Sequence, residues 1–297
     1  MSYATFKENT LKMTPSKVVL FKTIENDKKT DEYVEQFRKN HLEAFCLSPI
    51  KFEFKNLEVL CKKLSDDFRS NFSGLVITSP RILQILKRLI VQQQLSVECL
   101  RRIPCITVGP QTFRRLTEEF GITSLVDNEL LNINNAKELA SHLKRNQDEL
   151  AKLIDLDKPL LYPTSDLSTE ELKAQLSGTA FRIEKLVCYE TLPNDGLNAE
   201  LDSILKRSAE EKQALTSDAF ESEFLFVFFS PSGVKSVQQM AKCINRLDRI
   251  MAIAIGPTTK KAIEEQNLNL VATAAKPTPE CLLNTVLACL AGGQRTG

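Results

Sequence analysis

The sequence predicts an α/β protein built from two mainly parallel β-sheets. Short apolar runs alternate along the chain with longer amphipathic segments, a pattern typical of strands that alternate with helices. Several of the runs are almost wholly apolar, which suits strands covered on both faces. Ten such runs are too many for one modest sheet, so we expect two sheets of about five strands each. The predicted strands span residues 17–21, 43–47, 75–78, 105–108, 124–126, 160–162, 183–189, 224–229, 251–255 and 270–272.

Length and composition favour a two-domain globular protein. The chain has 297 residues, and domains average about 150. Apolar residues make up 42% of the chain and charged residues 26%, which excludes disorder and a coiled coil as the main structure. No run approaches the roughly 20 uncharged apolar residues that a membrane span needs. Residues 1–16 resemble no secretory signal, and we expect residues 1–16 and 291–297 to be loose termini.

Charge and residue usage exclude several kinds of site. The net charge of +1 argues against nucleic acid as a partner. The eight cysteines form no C-x-x-C pair, so we expect reduced core thiols and a cytoplasmic protein. With only two histidines, a zinc site or a histidine-based triad is excluded, and we expect no metal. Neither nucleotide-binding glycine motif is present, so we expect no cofactor.

An internal repeat links the two halves of the chain. Residues 76–81 (VITSPR) resemble residues 227–232 (VFFSPS), and residues 106–112 (ITVGPQT) resemble residues 253–259 (IAIGPTT). Both copies run in the same order: strand, Ser-Pro, helix, strand, Gly-Pro-x-Thr, helix. The halves are therefore predicted to be related units, with a helix at 81–95 in the first.

Each repeated element places a strand end next to a helix start. Ser79 and Ser230 can cap their helices, and the glycine of Gly-Pro-x-Thr permits a tight turn. Helix N-termini attract anions, and ligands of open α/β sheets lie beyond the carboxyl ends of the strands. Four such junctions on facing domains would form a cleft for a ligand with several carboxylates or phosphates. The alternative is that these residues are only good helix caps.

Tyr189 is a separate candidate. It lies in a long predicted strand, 182–191, just before the turn-forming residues 193–196. A phenol at a domain junction could donate a proton to a leaving group. The alternative is a tyrosine that only packs beside a hinge.

These motifs together resemble the uroporphyrinogen-III synthase family. The resemblance extends from about residue 17 to 290 and rests on TSPR (78–81), GPQT (109–112), YET (189–191), FSPSG (229–233), GPTT (256–259) and PTP (277–279). The family resemblance implies two flavodoxin-like domains, one of them discontinuous, joined by a two-stranded linker. Domain 1 would then comprise residues 17–50 and 195–290, domain 2 residues 56–187, and the linker strands residues 51–55 and 188–194.

The resemblance also implies a reaction. The family converts hydroxymethylbilane, a linear tetrapyrrole with several carboxylates, into cyclic uroporphyrinogen III, with loss of water and inversion of ring D. The enzyme would act mainly by positioning, as a monomer and without a cofactor. Tyr189 would assist loss of the hydroxyl. The expected substrate-binding residues, acting largely through backbone amides, are Thr78, Ser79, Arg81, Gly109, Thr112, Ser230, Ser232, Gly233, Thr258 and Thr259.

Two other functions compete with the synthase reaction. A non-catalytic two-domain protein could bind an anionic metabolite with the same fold. A receiver-like signalling domain is disfavoured because the strand ends lack clustered acidic residues for Mg²⁺.

Overall fold

The computed structural model describes residues 17–23, 31–65, 67–127, 131, 133–211, 224–236 and 251–292. The predicted loose end at 1–16 lies outside these ranges, as do residues 293–297 of the one predicted at 291–297. Residues 291 and 292 are instead the end of the last helix. The described residues divide into two compact units, with the boundaries between Lys51 and Phe52 and between Leu192 and Pro193.

The first unit contains a parallel five-stranded sheet with the order β10-β9-β8-β1-β2. Its strands are β1 (Lys17–Phe21), β2 (Glu43–Leu47), β8 (Phe224–Phe228), β9 (Met251–Ala254) and β10 (Asn269–Thr273). Its helices are α1 (Glu32–Lys39), α10 (Leu197–Glu211), α11 (Pro231–Lys235), α12 (Pro257–Glu265) and α13 (Pro279–Gly292).

Both faces of this sheet are covered, which explains why its central strands are apolar apart from Lys17. On one face, Phe21 stacks on Phe228 with ring centroids 4.7 Å apart, and α10 and α12 pack over them. On the other face, Val18 and Leu225 pack against α1 and α13. Side chains alternate between faces along a strand, so each strand supplies both cores.

The second unit contains a five-stranded sheet with the order β3-β7-β6-β4-β5. Its strands are β3 (Ile50–Phe54), β4 (Gly74–Ile77), β5 (Cys105–Thr107), β6 (Leu160–Ser165) and β7 (Ile183–Pro193). Its helices are α2 (Leu57–Lys63), α3 (Phe68–Asn71), α4 (Pro80–Val91), α5 (Val97–Arg101), α6 (Pro110–Phe120), α7 (Ala136–Arg145), α8 (Gln147–Leu150) and α9 (Glu171–Gln175). The helix predicted at 81–95 corresponds to α4, which buries its apolar stripe in the core but ends at Val91, four residues before the predicted end. The predicted α/β class with two mainly parallel sheets is confirmed.

The strand predicted at 124–126 is wrong. Ser124 makes only an isolated bridge to Cys105. The Ser124 hydroxyl accepts hydrogen bonds from the backbone N–H groups of Thr107 and Val126, at 3.1 and 3.2 Å. A side chain that takes these donors prevents the ladder from extending.

The fifth strand of the second sheet is instead β3, which pairs with the end of β7. The Lys55 N–H donates to the Cys188 carbonyl (2.8 Å), and the Asn194 N–H donates to the Pro49 carbonyl (3.0 Å). Residue numbers rise along one strand and fall along the other, so the pair is antiparallel. The chain passes between the units in these two strands.

Among the described residues, no helix is long and apolar enough to span a membrane.

Candidate active site

The junction of β4 and α4 holds three of the predicted residues. Ser79 is the N-cap of α4, with extended backbone (φ −144°, ψ 136°) and its hydroxyl accepting from the Arg81 N–H at 3.2 Å. Pro80 occupies the first helical position, where its missing N–H costs nothing. The local sequence thus creates a capped helix start directly beyond the carboxyl end of a buried strand.

Tyr189 reaches this junction from β7. Its side chain is 8% exposed, and its hydroxyl donates to Ser79 Oγ at 3.2 Å. Its ring meets the ring of Phe52 edge-on, with centroids 5.9 Å apart. The Arg81 guanidinium lies 4.0 Å from the centroid of the same Phe52 ring and donates to Gln84 Oε1 at 2.9 Å. Tyr189, Ser79 and Arg81 therefore form one contiguous cluster around Phe52.

A second tyrosine contacts the other side of the same junction. Tyr162 is 6% exposed and lies in the core on the opposite face of the sheet from Tyr189. Its hydroxyl is 3.3 Å from Thr78 Oγ1 and 3.3 Å from Ser168 Oγ. Thr78 and Ser79 are thus each hydrogen-bonded to a buried phenol.

The neighbouring junction of β5 and α6 begins with a glycine whose backbone has a positive φ. Gly109 has φ +83° and ψ 139°, a region that L side chains rarely adopt. Its N–H donates to the Ile133 carbonyl at 2.7 Å. Thr112 is only 2% exposed, so its side chain packs inside the unit. Because β4 and β5 are parallel neighbours, this junction lies beside the first.

The first unit repeats the Ser-Pro junction with different contacts. Ser230 is the N-cap of α11 and accepts from the Gly233 N–H at 3.3 Å. Its hydroxyl is 2.8 Å from that of Ser232, which is exposed. Gly233 is buried, with Pro49 and Phe21 nearest to the position of its missing Cβ. No tyrosine hydroxyl contacts this junction among the described residues.

The second Gly-Pro-x-Thr loop has a different backbone conformation from the first. Gly256 is fully extended (φ −178°, ψ 179°), so any residue could adopt its backbone there. A Cβ would meet nothing within 4 Å at Gly256 or at Gly109. The two loops therefore differ, since only Gly109 uses the conformational freedom of glycine. Thr258 is exposed, whereas Thr259 is 3% exposed and packs like its counterpart Thr112.

Lys22 is a cation at a strand end that the sequence reasoning missed. It directly follows β1, and its ammonium is 2.5 Å from the Asp31 carboxylate. It also lies 5.3 Å from the ring centroid of Tyr33 and 5.8 Å from that of Phe229, the residue before Ser230. Tyr33 is fixed by donation to the Pro277 carbonyl at 2.7 Å, and burial, followed by the charges of neighbouring acids, raises its pKa to about 12.

Position in the predicted strands could have revealed the missed residues. Lys22 follows the strand predicted at 17–21, and Tyr162 ends the one predicted at 160–162. Ligands of parallel sheets bind at carboxyl ends, so polar residues there are candidates even outside a motif. Phe52 carries no such signal, because its role is to support Arg81 and Tyr189.

The predicted residues thus separate into two groups by unit. Thr78, Ser79, Arg81 and Tyr189 are in contact with one another or through shared neighbours, with Gly109 and Thr112 at the adjacent junction. Ser230, Ser232 and Gly233 form a second local cluster, and Thr258 and Thr259 follow the adjacent strand. Each unit therefore offers hydroxyls and helix-start amides, groups that bind carboxylates.

Comparison with known proteins gives the family. The family model "Uroporphyrinogen-III synthase HemD" matches residues 31–284. The uroporphyrinogen-III synthase of Saccharomyces cerevisiae is 25% identical over 236 residues, 73% of this chain and 81% of the yeast protein. The crystal structure of uroporphyrinogen-III synthetase from Helicobacter pylori shares the fold, with a TM-score of 0.52 at 17% identity, covering 92% of this chain and 98% of that chain. Because the family match spans most of its length, the chain belongs to the uroporphyrinogen-III synthase family and is a lyase of haem biosynthesis, not a non-catalytic binding protein.

Proposed function

We propose that the chain takes hydroxymethylbilane as substrate and releases uroporphyrinogen III, with loss of water and inversion of ring D. The family match over residues 31–284 carries this proposal. The hydrogen bond from Tyr189 to Ser79 supports it, because a proton donor then lies at a strand end beside helix-start amides. A polycarboxylate substrate would meet amides and hydroxyls there, and little catalytic machinery beyond positioning is required.

Tyr189 is proposed as the group that assists departure of the substrate hydroxyl. Its single proton points at Ser79 Oγ, which also accepts from the Arg81 N–H. A substrate hydroxyl that replaces Ser79 as the acceptor would receive that proton as its C–O bond breaks. The hydroxyl leaves as water with that proton, the pyrrole N–H proton restores the Tyr189 phenol, and the resulting azafulvene is attacked by the substituted position of ring D. The nearby Arg81 cation would hold a substrate carboxylate close to the reacting ring.

The remaining predicted residues are proposed to bind substrate mainly through backbone amides. Thr112 and Thr259 are almost fully buried, so their amides rather than their hydroxyls would be presented. Ser230 and Ser232 would offer hydroxyls at the other unit's first junction. We further propose that the protein acts as a monomer in the cytoplasm; the free thiols of the cysteines that the structure describes support that location.

The test is to supply hydroxymethylbilane and measure the ratio of the type III to the type I product. The substrate cyclises without enzyme to the type I isomer, so a reaction without protein is the baseline. Type III product above that baseline is the expected result. Type I product alone, from folded protein, would refute the proposed function.

A further inference from the structure

We propose that Tyr162 orients the hydroxyl of Thr78 so that Thr78 accepts a hydrogen bond from a pyrrole N–H of the substrate. Thr78 would then be a binding residue that recognises a pyrrole ring, and Tyr162 a positioning residue that acts through it. The inference rests on the proposed function, because it names which part of a linear tetrapyrrole lies at this strand end. It also changes the role expected for Thr78, from binding carboxylates to binding a ring.

The Ser168 hydroxyl determines the direction of the hydrogen bonds that lead to Thr78. Ser168 Oγ donates to the backbone carbonyl of Thr169 at 3.4 Å. A carbonyl can only accept, so the single proton of Ser168 is used in this contact. Ser168 is also 3.3 Å from the Tyr162 hydroxyl, and in that contact it must be the acceptor.

The direction of the hydrogen bond between Tyr162 and Thr78 follows from that between Tyr162 and Ser168. Tyr162 has one hydroxyl proton, and donating it to Ser168 makes Tyr162 the acceptor in its 3.3 Å contact with Thr78. Thr78 therefore donates its only proton to Tyr162. This is the one arrangement of three protons that forms all three hydrogen bonds.

Thr78 consequently presents only lone pairs to a ligand. Thr78 is a partly exposed residue that directly follows β4, one position before the N-cap of α4. The helix-start amides nearby are donors and suit carboxylates, whereas an oxygen with its proton already used repels a carboxylate. The donors of hydroxymethylbilane are its pyrrole N–H groups and its one hydroxyl; the hydroxyl is proposed to lie at Tyr189, so a pyrrole N–H is the donor that fits this acceptor.

Tyr162 is well placed to hold this arrangement. Its ring is buried in the core that also contains Val76, on the same face of β4 as Thr78 two residues further along. Tyr189 contacts Ser79 from the opposite face, so the two tyrosines act on adjacent residues without sharing a hydrogen bond. The effects of Tyr162 and Tyr189 can therefore be separated by mutation.

The test compares three variants by steady-state kinetics with hydroxymethylbilane and by product isomer ratio. Thr78→Val removes the acceptor and should lower kcat/KM about fivefold, the size of one hydrogen bond, mainly through KM. Tyr162→Phe and Ser168→Ala each free the Thr78 proton to turn outward, and each should lower kcat/KM about threefold. The fraction of type I product should rise in all three. A fourth variant, Thr78→Ser, keeps the hydroxyl and should give the wild-type values.

The decisive measurement is the double variant. If Tyr162 acts through Thr78, Tyr162→Phe combined with Thr78→Val should be no worse than Thr78→Val alone. Multiplying losses would overturn the inference, as would wild-type kinetics in Tyr162→Phe and Ser168→Ala. Ser168→Ala keeps the buried ring in place, so it tests the chain of hydroxyls even if Tyr162→Phe folds poorly.

The matched control is Thr117→Val, the same chemical change at a different place. The Thr117 hydroxyl in α6 lies 3.2 Å from the carbonyl oxygens of both Phe113 and Ile122 and donates its one proton to this pair. Its kinetics should equal those of the wild type. A wild-type protein that forms only type I product refutes the proposed function and this inference with it. Type III product from the wild type, with unchanged variants, refutes this inference alone.

Discussion

The two Gly-Pro-x-Thr loops should respond oppositely to the same substitution, Gly→Ala. Gly109 has φ +83° and ψ 139°, whereas Gly256 is extended at φ −178° and ψ 179°. A Cβ would meet nothing within 4 Å at either position, so steric clash contributes to neither effect. The difference between the two variants therefore measures backbone conformation alone.

The expected magnitudes follow from two opposing terms. Alanine restricts the unfolded chain in both variants, which stabilises the folded protein by about 0.4–1 kcal/mol. At Gly109 the native backbone lies in a region that costs alanine about 1–3 kcal/mol. Gly109→Ala should therefore lower the free energy of unfolding by about 1.3 kcal/mol (range about 0–2.6), whereas Gly256→Ala should raise it by about 0.4–1 kcal/mol.

Urea unfolding monitored by circular dichroism checks this prediction. The two glycines lie in different units, so the transition of each unit is fitted separately, and the slope with denaturant must match the wild type. Each variant also controls for the other unit, whose transition should not move. Equal losses in both variants would refute the assignment of strain to Gly109. A loss larger in Gly256→Ala would refute the reasoning from backbone angles altogether.

Three further predictions concern catalysis, stability and thiol chemistry. Tyr189→Phe should lower kcat on the order of 100-fold at saturating substrate, with unfolding changed by at most about 1 kcal/mol; wild-type turnover would remove Tyr189 from the mechanism. Asp31→Ala should cost about 2–3 kcal/mol of unfolding free energy in a calorimetric scan, since Asp31 caps α1 and pairs with Lys22; an unchanged transition would contradict that role. Burial raises the pKa of three thiols to about 12, so their contribution to stability should be complete below pH 9 and lost as pH rises toward 12. These thiols are Cys46, Cys105 and Cys188. Cys105 and Cys188 are buried, whereas Cys46 is only partly buried. Cys105 and Cys188 should therefore resist iodoacetamide at pH 8 in the folded protein, as read by mass spectrometry, and labelling of either would refute its burial.

The α/β class could be predicted because burial on both faces leaves a simple mark on sequence. Strands such as β1 and β8 are apolar at every position apart from Lys17, and the amphipathic segments between them can only be helices. Strand ends were harder: the prediction for 160–162 stopped three residues short of Ser165, because polar residues that pair in a ladder resemble a loop.

The predicted strand at 124–126 failed for a reason that composition cannot reveal. Its residues have strand propensity, but the Ser124 hydroxyl competes for the N–H groups that a ladder needs. The opposite backbone conformations of Gly109 and Gly256 were equally hidden. Both follow a strand and precede proline, and the difference depends on tertiary contacts such as the bond from Gly109 to the Ile133 carbonyl.

The repeat predicted where groups for binding lie, but it does not account for the proton chemistry. Ser79 and Ser230 are equivalent N-caps, yet the Ser79 hydroxyl accepts a hydrogen bond from Tyr189, whereas the Ser230 hydroxyl is hydrogen-bonded to that of Ser232. Tyr189 and Tyr162 come from β7 and β6, outside the repeated segments, and both serve the second unit. Tyr33 of the first unit has its hydroxyl on a backbone carbonyl and a raised pKa, so it is a poor acid. Two units with the same strand-to-helix junctions thus differ in the residues around them: among the described residues, the proposed proton donor lies in one unit and the other contributes proposed binding groups.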